Sequence, residues 1–341
     1  MKRNQCVFIF LFPLLIACKT AKKEITPAPF VSSQEAVLLN QAVYKSPLND
    51  SLSSYAPAFE TVFLPDAVNG NFAFIAKKKN SGQYALVIRG SVIEFSNEGF
   101  QNFIVQDFNI FTMKPWQYAD TVQDAYISNG TWTGLQNLLQ LRDKESGLSI
   151  KEFIEQKIAK GSSLIVTGHS LGGNLAYPLT GYLQSALSPA LGIRLQLITF
   201  GAPAAGNAAF VRDMEEKFPD AERYVIDKDI APVFPDIDKI SSLAKIMGLD
   251  SVMQLHKLNI PGINQLKTSD ILTVAGDILK ATNVVNEKNR YVQSEKHLRL
   301  LTAPLVTAPE NTLTAEALFN RAYEFHRVDM YAALLGATAR R

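Results

Sequence analysis

The stretch Leu164–Ala176 reads LIVTGHSLGGNLA, and it decides the fold. An apolar run ends at a glycine, a His and a Ser follow, and small residues lead into a helix-like segment. Gly168 to Gly172 has the spacing G-x-S-x-G, in which a serine occupies a sharp turn between a strand and a helix. Such a turn accepts only small neighbours and projects the serine hydroxyl above the sheet. The stretch therefore predicts a nucleophile elbow with Ser170 at its tip.

The same turn provides a site for developing negative charge. The first N–H groups of a helix have no partner within the helix and carry partial positive charge. Since Leu171 follows Ser170 at the expected helix start, its N–H is predicted to donate to an oxyanion. The alternative is a helix-capping serine in a glycine-rich turn. The strand-like and helix-like flanks of the pentapeptide favour the elbow.

Strand-like and helix-like segments alternate on both sides of the elbow. A capping box, formed by Ser149 and Glu152, marks the start of one helix. This alternation predicts an α/β fold, with a mostly parallel central sheet and helices on both faces. In such sheets functional groups gather where the parallel strands end. The segments that carry the prediction are the hairpin Asn71–Ser91, the helix Ser149–Lys160, the strand Arg194–Pro203 with its loop, and the strand and loop Glu222–Pro235.

A serine alcohol is a weak nucleophile unless a base, itself held by a third group, activates it. In this architecture the acid and then the histidine follow the serine along the chain. The stretch DKDIAPVFP comes directly after a predicted strand and offers Asp227 and Asp229. Asp229 is the predicted acid, because an apolar residue and a proline follow it and favour an inward turn. Asp227 is expected to be a solvated loop residue.

The chain has four histidines as candidates for the base. His169 lies inside the elbow and is expected to point away from the serine, and His256 lies in a helix-like insertion. His326 is the predicted base because of its position near the end of the chain and its local sequence. His297, in an alternating strand-like run, is the reserve candidate. A surface histidine remains the alternative for either.

These residues also carry a family resemblance. LIVTGHSLGGNLA, LITFGAPAAGN (Leu197–Asn207) and DIAPVFP together resemble the lipase class 3 family of fungal-type triacylglycerol lipases and plant acylhydrolases. ALVIRGS (Ala85–Ser91) is similar to the first oxyanion-loop strand of that family, which implies an oxyanion role for Ser91. FQNFIVQD and HRVDMYAALL resemble the stretch that follows that strand and the family's histidine-containing C-terminal helix. The resemblance extends from Asn71 to Leu335, with a break in the middle.

The resemblance implies an α/β-hydrolase fold and hydrolysis of lipid or other acyl esters through an acyl-enzyme on Ser170, with Asp229 and His326 completing the catalytic group. No cofactor and no metal is expected. Two alternatives stay open, namely a non-catalytic scaffold or binding module with the same fold, and an acyltransferase.

The chain departs from the family pattern in two places. Where the family usually has a His two residues before a glycine, this chain has Ser128. In addition, residues from about 236 to 289 form a long insertion that reads as short amphipathic helices. Their apolar residues could face the core, cover the active site or touch lipid, and the inserted helices could reshape the acyl-binding pocket.

The first residues read as a targeting segment. Lys2 and Arg3 precede the apolar run CVFIFLFPLLIAC, which is short for a membrane span. Its end, LIAC, resembles a bacterial lipobox, which predicts a signal peptide over 1–17 and lipidation of Cys18. A tether over 18–30 and a hydrolase domain over 31–341 would follow. The alternative is an ordinary secretory signal.

Composition and net charge limit the kinds of binding partner that the protein is expected to have. The chain has 341 residues, 47% of them hydrophobic, which is enough for a substantial core. The formal net charge of +2 argues against a nucleic-acid partner. The expected partners are a lipid or ester substrate and a membrane surface, reached through lipidated Cys18 in a bacterial cell envelope, at the outer membrane or cell surface. Nothing in the sequence determines the oligomeric state.

Overall fold

The computed structural model describes residues 29–90, 112–246, 252–253, 266–267, 290–304 and 323–337. The helices are α1 (Ser33–Ala42), α2 (Leu48–Tyr55), α3 (Asn129–Leu139), α4 (Ile150–Lys157), α5 (Leu171–Ala186), α6 (Ala208–Lys217), α7 (Ile237–Ile246) and α8 (Val328–Leu334). The strands are β1 (Phe59–Phe63), β2 (Ala73–Lys78), β3 (Gln83–Ile88), β4 (Met113–Pro115), β5 (Tyr126–Ser128), β6 (Ser163–His169), β7 (Arg194–Phe200), β8 (Gly206–Asn207), β9 (Glu222–Ile226), β10 (Val252–Met253), β11 (Leu266–Lys267), β12 (Tyr291–Val292) and β13 (Leu298–Leu301).

The main sheet has the strand order β1-β2-β3-β6-β7-β9-β13. Strand β2 runs antiparallel to both of its neighbours, whereas β3, β6, β7, β9 and β13 run parallel to one another. The prediction of an α/β fold with a mostly parallel central sheet is confirmed. Because β6, β7 and β9 are adjacent and parallel, the loops that follow them meet at one edge of the sheet.

Both faces of the sheet are covered, and β3 shows why its sequence is continuously apolar. Tyr84, Leu86 and Ile88 pack on the face that carries α3, α4, α5 and α6. Ala85 and Val87 pack on the opposite face, against α1, α2 and α8. A strand buried on both faces has no solvent side to make polar, so alternation of apolar and polar residues disappears.

The described chain begins at the amino ends of β3 and β6. The carbonyl of Pro29 accepts hydrogen bonds from Gln83 Nε2 at 2.9 Å and from Ser163 Oγ at 2.6 Å. Ser170 lies at the other end of β6, a strand of seven residues. At a rise of about 3.3 Å per residue, this places the start of the described chain roughly 20 Å from the elbow.

Helix starts follow the expected capping chemistry. Ser149 accepts from the Glu152 N–H while the Glu152 carboxylate accepts from the Ser149 N–H, so the predicted capping box is confirmed. Ser32 and Glu35 form a second box at the start of α1. Each box supplies partners for two N–H groups that the helix leaves without one.

The insertion is only partly described. It begins with α7, as predicted, and β10 pairs antiparallel with β11, which the sequence did not indicate. The rest of 247–289 lies outside the described residues, as do the predicted signal peptide, Cys18 and the tether up to residue 28. Within the parts of the chain that are described, no helix has both the length and the apolar character that crossing a bilayer requires.

Candidate active site

Ser170 joins β6 to α5 in an unusual backbone conformation. Its φ and ψ angles are 60° and −130°, a region that non-glycine residues rarely adopt. The Ser170 N–H donates to the carbonyl of Phe200 at 2.9 Å, and the Ser170 carbonyl accepts from the Asn174 N–H at 3.1 Å. The turn is therefore held from β7 on one side and from the first turn of α5 on the other.

The glycines around Ser170 allow backbone to pack directly on backbone. A Cβ at Gly168 would lie 2.2 Å from the carbonyl carbon of Gly172. A Cβ at Gly172 would lie 2.3 Å from the carbonyl oxygen of Ile88, and one at Gly173 would lie 2.7 Å from Cβ of Ala202. All three distances are shorter than real Cβ contacts, so the small residues of the motif are a steric requirement of this turn.

Ser170, His326 and Asp229 form one hydrogen-bonded chain of buried side chains. Ser170 Oγ lies 2.8 Å from His326 Nε2, and His326 Nδ1 lies 2.9 and 3.0 Å from the two carboxylate oxygens of Asp229. A carboxylate accepts, so Nδ1 donates and Nε2 is left to accept from the serine hydroxyl. The structure thus brings together the three residues predicted from the sequence, in the order nucleophile, base and acid.

Asp229 has two further donors, one of which the sequence analysis missed. Its Oδ1 accepts from the Ala231 N–H at 2.9 Å, and its Oδ2 accepts from the Tyr331 hydroxyl at 2.6 Å. The Tyr331 hydroxyl in turn accepts from the Ile226 N–H at 3.2 Å. Burial, together with the nearby Asp229 charge, raises the pKa of Tyr331 well above its usual value, so the phenol remains a donor. In the sequence, the only signal that points to Tyr331 is its position five residues after His326.

The loop after β7 makes room for this cluster. Gly201 has φ +57°, which favours glycine. A Cβ there would lie 2.9 Å from Asp229 Oδ2, 3.1 Å from the Tyr331 hydroxyl and 3.2 Å from His326 Cε1. The glycine of the stretch LITFGAP is therefore required both by its backbone angle and by the side chains around it.

His169 faces away from the Ser170 hydroxyl, as predicted, and has two partners of its own. Its Nε2 lies 2.6 Å from the main-chain carbonyl of His326, and its Nδ1 lies 3.0 Å from the Tyr44 hydroxyl. The carbonyl can only accept, so Nε2 carries the hydrogen and Nδ1 accepts from Tyr44. Burial, and secondarily the neighbouring His326, hold the pKa of His169 well below its usual value, which keeps the ring neutral.

The oxyanion donors are described in part. Leu171 is the first residue of α5, directly after Ser170. Ser91 lies outside the described residues. The residue before it, Gly90, packs against the elbow, because a Cβ at Gly90 would lie 2.6 Å from the His169 carbonyl oxygen and 3.3 Å from Ser170 Cβ. The residues that follow β3 therefore lie next to Ser170.

Ser128, the departure from the family pattern, is a buried structural residue. Its hydroxyl caps α3 by accepting from the Thr131 N–H at 2.9 Å, and it donates to Thr131 Oγ1 at 2.7 Å. Thr131 then donates to Asn174 Oδ1 at 2.8 Å, and Asn174 donates to the Ala204 carbonyl at 3.1 Å. This polar chain fixes the first turn of α5, the helix that begins at the elbow.

The other candidates lie elsewhere. His297 immediately precedes β13 and its carbonyl accepts from the Arg223 N–H at 2.8 Å, which places it at the end of the sheet opposite to Ser170. Its side chain is fully buried, and neither ring nitrogen has a hydrogen-bond partner among the described residues. Asp227 pairs with Lys228 and accepts from the Ala303 N–H. His256 is outside the described residues.

Among the residues that the structure describes, no group of three or more His, Cys, Asp and Glu side chains is placed to hold a metal ion.

Comparison with known sequences finds similarity to a lipase family model and to a lipase. Residues 86–239 match a family model described as Lipase (class 3). Lipase ZK262.3 of Caenorhabditis elegans is 28% identical over 162 residues, which cover 44% of this chain and 40% of the relative. The chain thus spans about two fifths of the length of this curated relative.

Solved structures similar to this chain include two of lipases. The crystal structure of M37 lipase superposes with a TM-score of 0.66 at 22% identity, covering 91% of this chain and 95% of the other. The lipase of Rhizopus microsporus var. chinensis gives a TM-score of 0.44 at 21% identity, over 60% of this chain and 66% of the other. The superposition on M37 lipase establishes the α/β-hydrolase fold for this chain.

Proposed function

We propose that this protein is a member of the lipase class 3 family and a serine carboxylic-ester hydrolase that cleaves lipid or other acyl esters through an acyl-enzyme on Ser170. The observation that carries the proposal is the buried hydrogen-bonded chain from Ser170 Oγ through His326 to Asp229. The family match over residues 86–239 supports the same activity. Neither cofactor nor metal takes part in the proposed reaction.

The first half-reaction transfers the acyl group to the enzyme. Ser170 Oγ attacks the ester carbonyl carbon while His326 Nε2 takes the hydroxyl proton, giving a tetrahedral oxyanion. The oxyanion then collapses, the bond to the alcohol oxygen breaks, and His326 returns the proton to that oxygen. Asp229 fixes the His326 tautomer and stabilises the imidazolium that forms. The acyl-enzyme and the free alcohol are the products of this step.

The second half-reaction releases the acid. A water molecule gives a proton to His326 Nε2 as its oxygen attacks the acyl carbon, and the second oxyanion collapses to return the proton to Ser170 Oγ. The Leu171 N–H and the main chain or hydroxyl of Ser91 are the proposed oxyanion donors in both steps. Loss of one such donor typically raises the barrier by about 3 kcal/mol.

The proposed cellular setting is a lipid anchor in a bacterial cell envelope, at the outer membrane or cell surface. Acylation of Cys18 would hold the enzyme at a membrane, where the local concentration of lipid esters is high. The support for this proposal is the sequence LIAC, which ends at Cys18 and resembles a lipobox. Incorporation of a labelled fatty acid that depends on Cys18 tests it, with Cys18→Ala as the control.

Turnover of p-nitrophenyl esters of graded chain length tests the activity. The chain from Lys19 onward retains Pro29 and its contacts and is suited to the assay. We expect Ser170→Ala and His326→Ala to lose at least about 10³-fold in kcat, whereas His297→Ala, the matched histidine control, retains it. A folded wild-type chain that is silent both in solution and with detergent micelles would favour a scaffold module. Transfer of the acyl group to an added alcohol in preference to water would identify an acyltransferase.

A further inference from the structure

The Tyr44 hydroxyl lies where two elements of the site meet. It lies 3.0 Å from His169 Nδ1 and 3.4 Å from the His169 carbonyl oxygen. It also touches the backbone at Gly90, since a Cβ on that glycine would lie only 2.2 Å from it. His169 directly precedes the nucleophile, and Gly90 directly precedes the residue expected to bind the oxyanion. One hydroxyl therefore contacts the end of β3 and the end of β6.

His169 extends this contact to the third element. Its Nε2 donates to the main-chain carbonyl of His326 at 2.6 Å, and the two rings lie 4.7 Å apart between centroids with a tilt of 33°. His326 belongs to a segment that is 157 residues further along the chain. The contact consequently joins the backbone that carries the base to the residue adjacent to the nucleophile.

We propose that His169 is a positioning residue for the base, and that Tyr44 holds His169 in the tautomer this requires. The inference rests on the proposed function and extends it to two residues that touch neither the serine hydroxyl nor the acid. A neutral imidazole has one donor and one acceptor nitrogen. Donation to the His326 carbonyl requires hydrogen on Nε2, so Nδ1 must accept, and the Tyr44 hydroxyl supplies the proton donor. Without Tyr44, Nδ1 would be a buried acceptor lacking this donor.

The chemistry explains why the position between Gly168 and Ser170 holds a histidine. The site requires a flat, neutral side chain with a donor and an acceptor on opposite edges. Burial keeps the pKa of His169 below its usual value, so the ring stays neutral and the acceptor is available. Displacing a catalytic group by about 1 Å can lower the rate by about 10²-fold. A lost contact behind His326 is therefore expected to reduce kcat without altering substrate binding.

Two substitutions at His169 separate its two edges. In His169→Gln the longer amide reaches the position of Nε2 and can still donate to the His326 carbonyl. In His169→Asn the amide reaches only to the position of Nδ1, so the contact with Tyr44 survives and the contact with His326 is lost. We expect His169→Asn to lower kcat by about 10²-fold with KM little changed, and His169→Gln to recover most of the loss.

Tyr44→Phe tests the other end of the arrangement and is the least disruptive change. It removes only the hydroxyl, and we expect kcat to fall by about tenfold. Its matched control is Tyr224→Phe, which removes a hydroxyl bound to Ser33 and Glu222 and to none of the site residues. The control is expected to keep the wild-type kcat.

Proton NMR provides a readout that general destabilisation would not produce. The proton between His326 Nδ1 and Asp229 should give a far-downfield signal in the wild-type chain. We expect this signal to move or broaden in His169→Asn and to stay in place in His169→Gln and in Tyr224→Phe.

The proposal is overturned if His169→Asn keeps the wild-type kcat and the wild-type signal, or if the two His169 variants lose kcat equally. If neither variant folds, an unchanged kcat in Tyr44→Phe overturns it, and a selective loss there supports it. Ser170→Ala separates this outcome from failure of the proposed function. Full turnover by Ser170→Ala would refute the serine mechanism, whereas the NMR signal would still report whether His169 positions His326.

Discussion

Ser170 and Gly201 hold the two unusual backbone angles of the site. Ser170 has φ 60° and is fixed by hydrogen bonds to both flanking elements, whereas Gly201 has φ +57° and is surrounded by Asp229, Tyr331 and His326. Ser170 needs its side chain for the reaction, so it adopts a strained backbone conformation. The neighbouring glycines make this conformation possible, because they let the backbone pack closely around it. Gly201 has no side chain and takes no part in the reaction, and the absence of a Cβ leaves space for Asp229 and His326.

Gly201→Ala should therefore damage both stability and activity. An alanine at positive φ costs roughly 1–2 kcal/mol, and here its Cβ would also lie 2.9 Å from Asp229 Oδ2. The matched control is Gly192→Ala, where φ is +60° but the nearest atom to a Cβ lies 3.8 Å away. We expect both variants to lower the midpoint of urea unfolding and only Gly201→Ala to lower kcat. Equal kcat in the two variants would contradict this account of Gly201.

Tyr331→Phe should weaken catalysis without preventing it. The hydroxyl donates to Asp229 at 2.6 Å, and hydrogen bonds to a charged group contribute about 1.5–3 kcal/mol. If about half of this is lost from the transition state, kcat/KM falls roughly 4- to 12-fold. Steady-state kinetics with a p-nitrophenyl ester measure the change. An unchanged kcat/KM would mean that the Ala231 N–H alone is enough to orient the acid.

Among single residues, the sequence predicts Ser170 and Asp229 but not Tyr331 or Tyr44. Ser170 belongs to a motif with a strict local geometry, and Asp229 follows a strand whose end it shares with the elbow. Tyr331 and Tyr44 act through a single hydroxyl placed across 102 and 125 residues of chain. Aromatic residues on an apolar face are usually core, so no local pattern separates these two from the other tyrosines.

The elements of the site are held by caps of two kinds. Ser149 caps α4 at an exposed position through a capping box, whereas Ser128 caps α3 from a buried position and continues into the hydrogen bonds of Thr131 and Asn174. The first cap contributes to one helix. The second also supports the first turn of α5, and so the nucleophile.

Ser149→Ala and Ser128→Ala should consequently differ. Removing an N-cap hydroxyl costs about 1 kcal/mol, and we expect Ser149→Ala to show this loss with kcat unchanged. Ser128→Ala also removes the buried hydroxyl that donates to Thr131 Oγ1, while Thr131 keeps its bond to Asn174; loss of this second hydrogen bond costs roughly a further 1 kcal/mol. Chemical unfolding and ester turnover measured on both variants check the difference. A larger loss of stability for Ser149→Ala would show that the buried chain from Ser128 adds nothing.

Long elements are predictable from the sequence, and short ones are not. Strands β2, β3, β6, β7 and β9 and helices α4 and α5 were indicated by apolar runs, turn residues and a capping box. The small sheet of β12, β8, β5 and β4 was not, because its strands have two or three residues each. A period of two cannot be recognised over so few positions.

At the scale of the whole molecule, the described residues include two buried histidines, His169 and His297, whose rings form no salt bridge. Burial is the main cause that lowers the pKa of both His169 and His297. In the unfolded chain both titrate near 6.5. Below that pH the unfolded chain binds more protons than the folded one, so the unfolding free energy falls as the pH drops from about 6.5 toward the lower folded pKa.

His297→Leu should make the protein less sensitive to acid. Each such histidine lowers the unfolding free energy as the pH drops from 6.5 to 5.5, and the leucine removes one of the two. We expect the unfolding free energy of the variant, measured in urea, to fall less than that of the wild type over this interval. Its kcat at neutral pH should be unchanged, because His297 lies at the end of the sheet opposite to Ser170. Parallel stability curves for the two proteins would show that His297 is not buried in its neutral form.

Covalent labelling by a fluorophosphonate, mapped by mass spectrometry of the digested protein, tests the central claim most directly. The account predicts one phosphonyl group per chain, on the peptide that contains Ser170, with no labelling of Ser170→Ala and a labelling rate at least about 10²-fold lower in His326→Ala. His297→Ala should label at the wild-type rate. Labelling of another residue, or labelling of Ser170 at full rate without His326, would contradict the account.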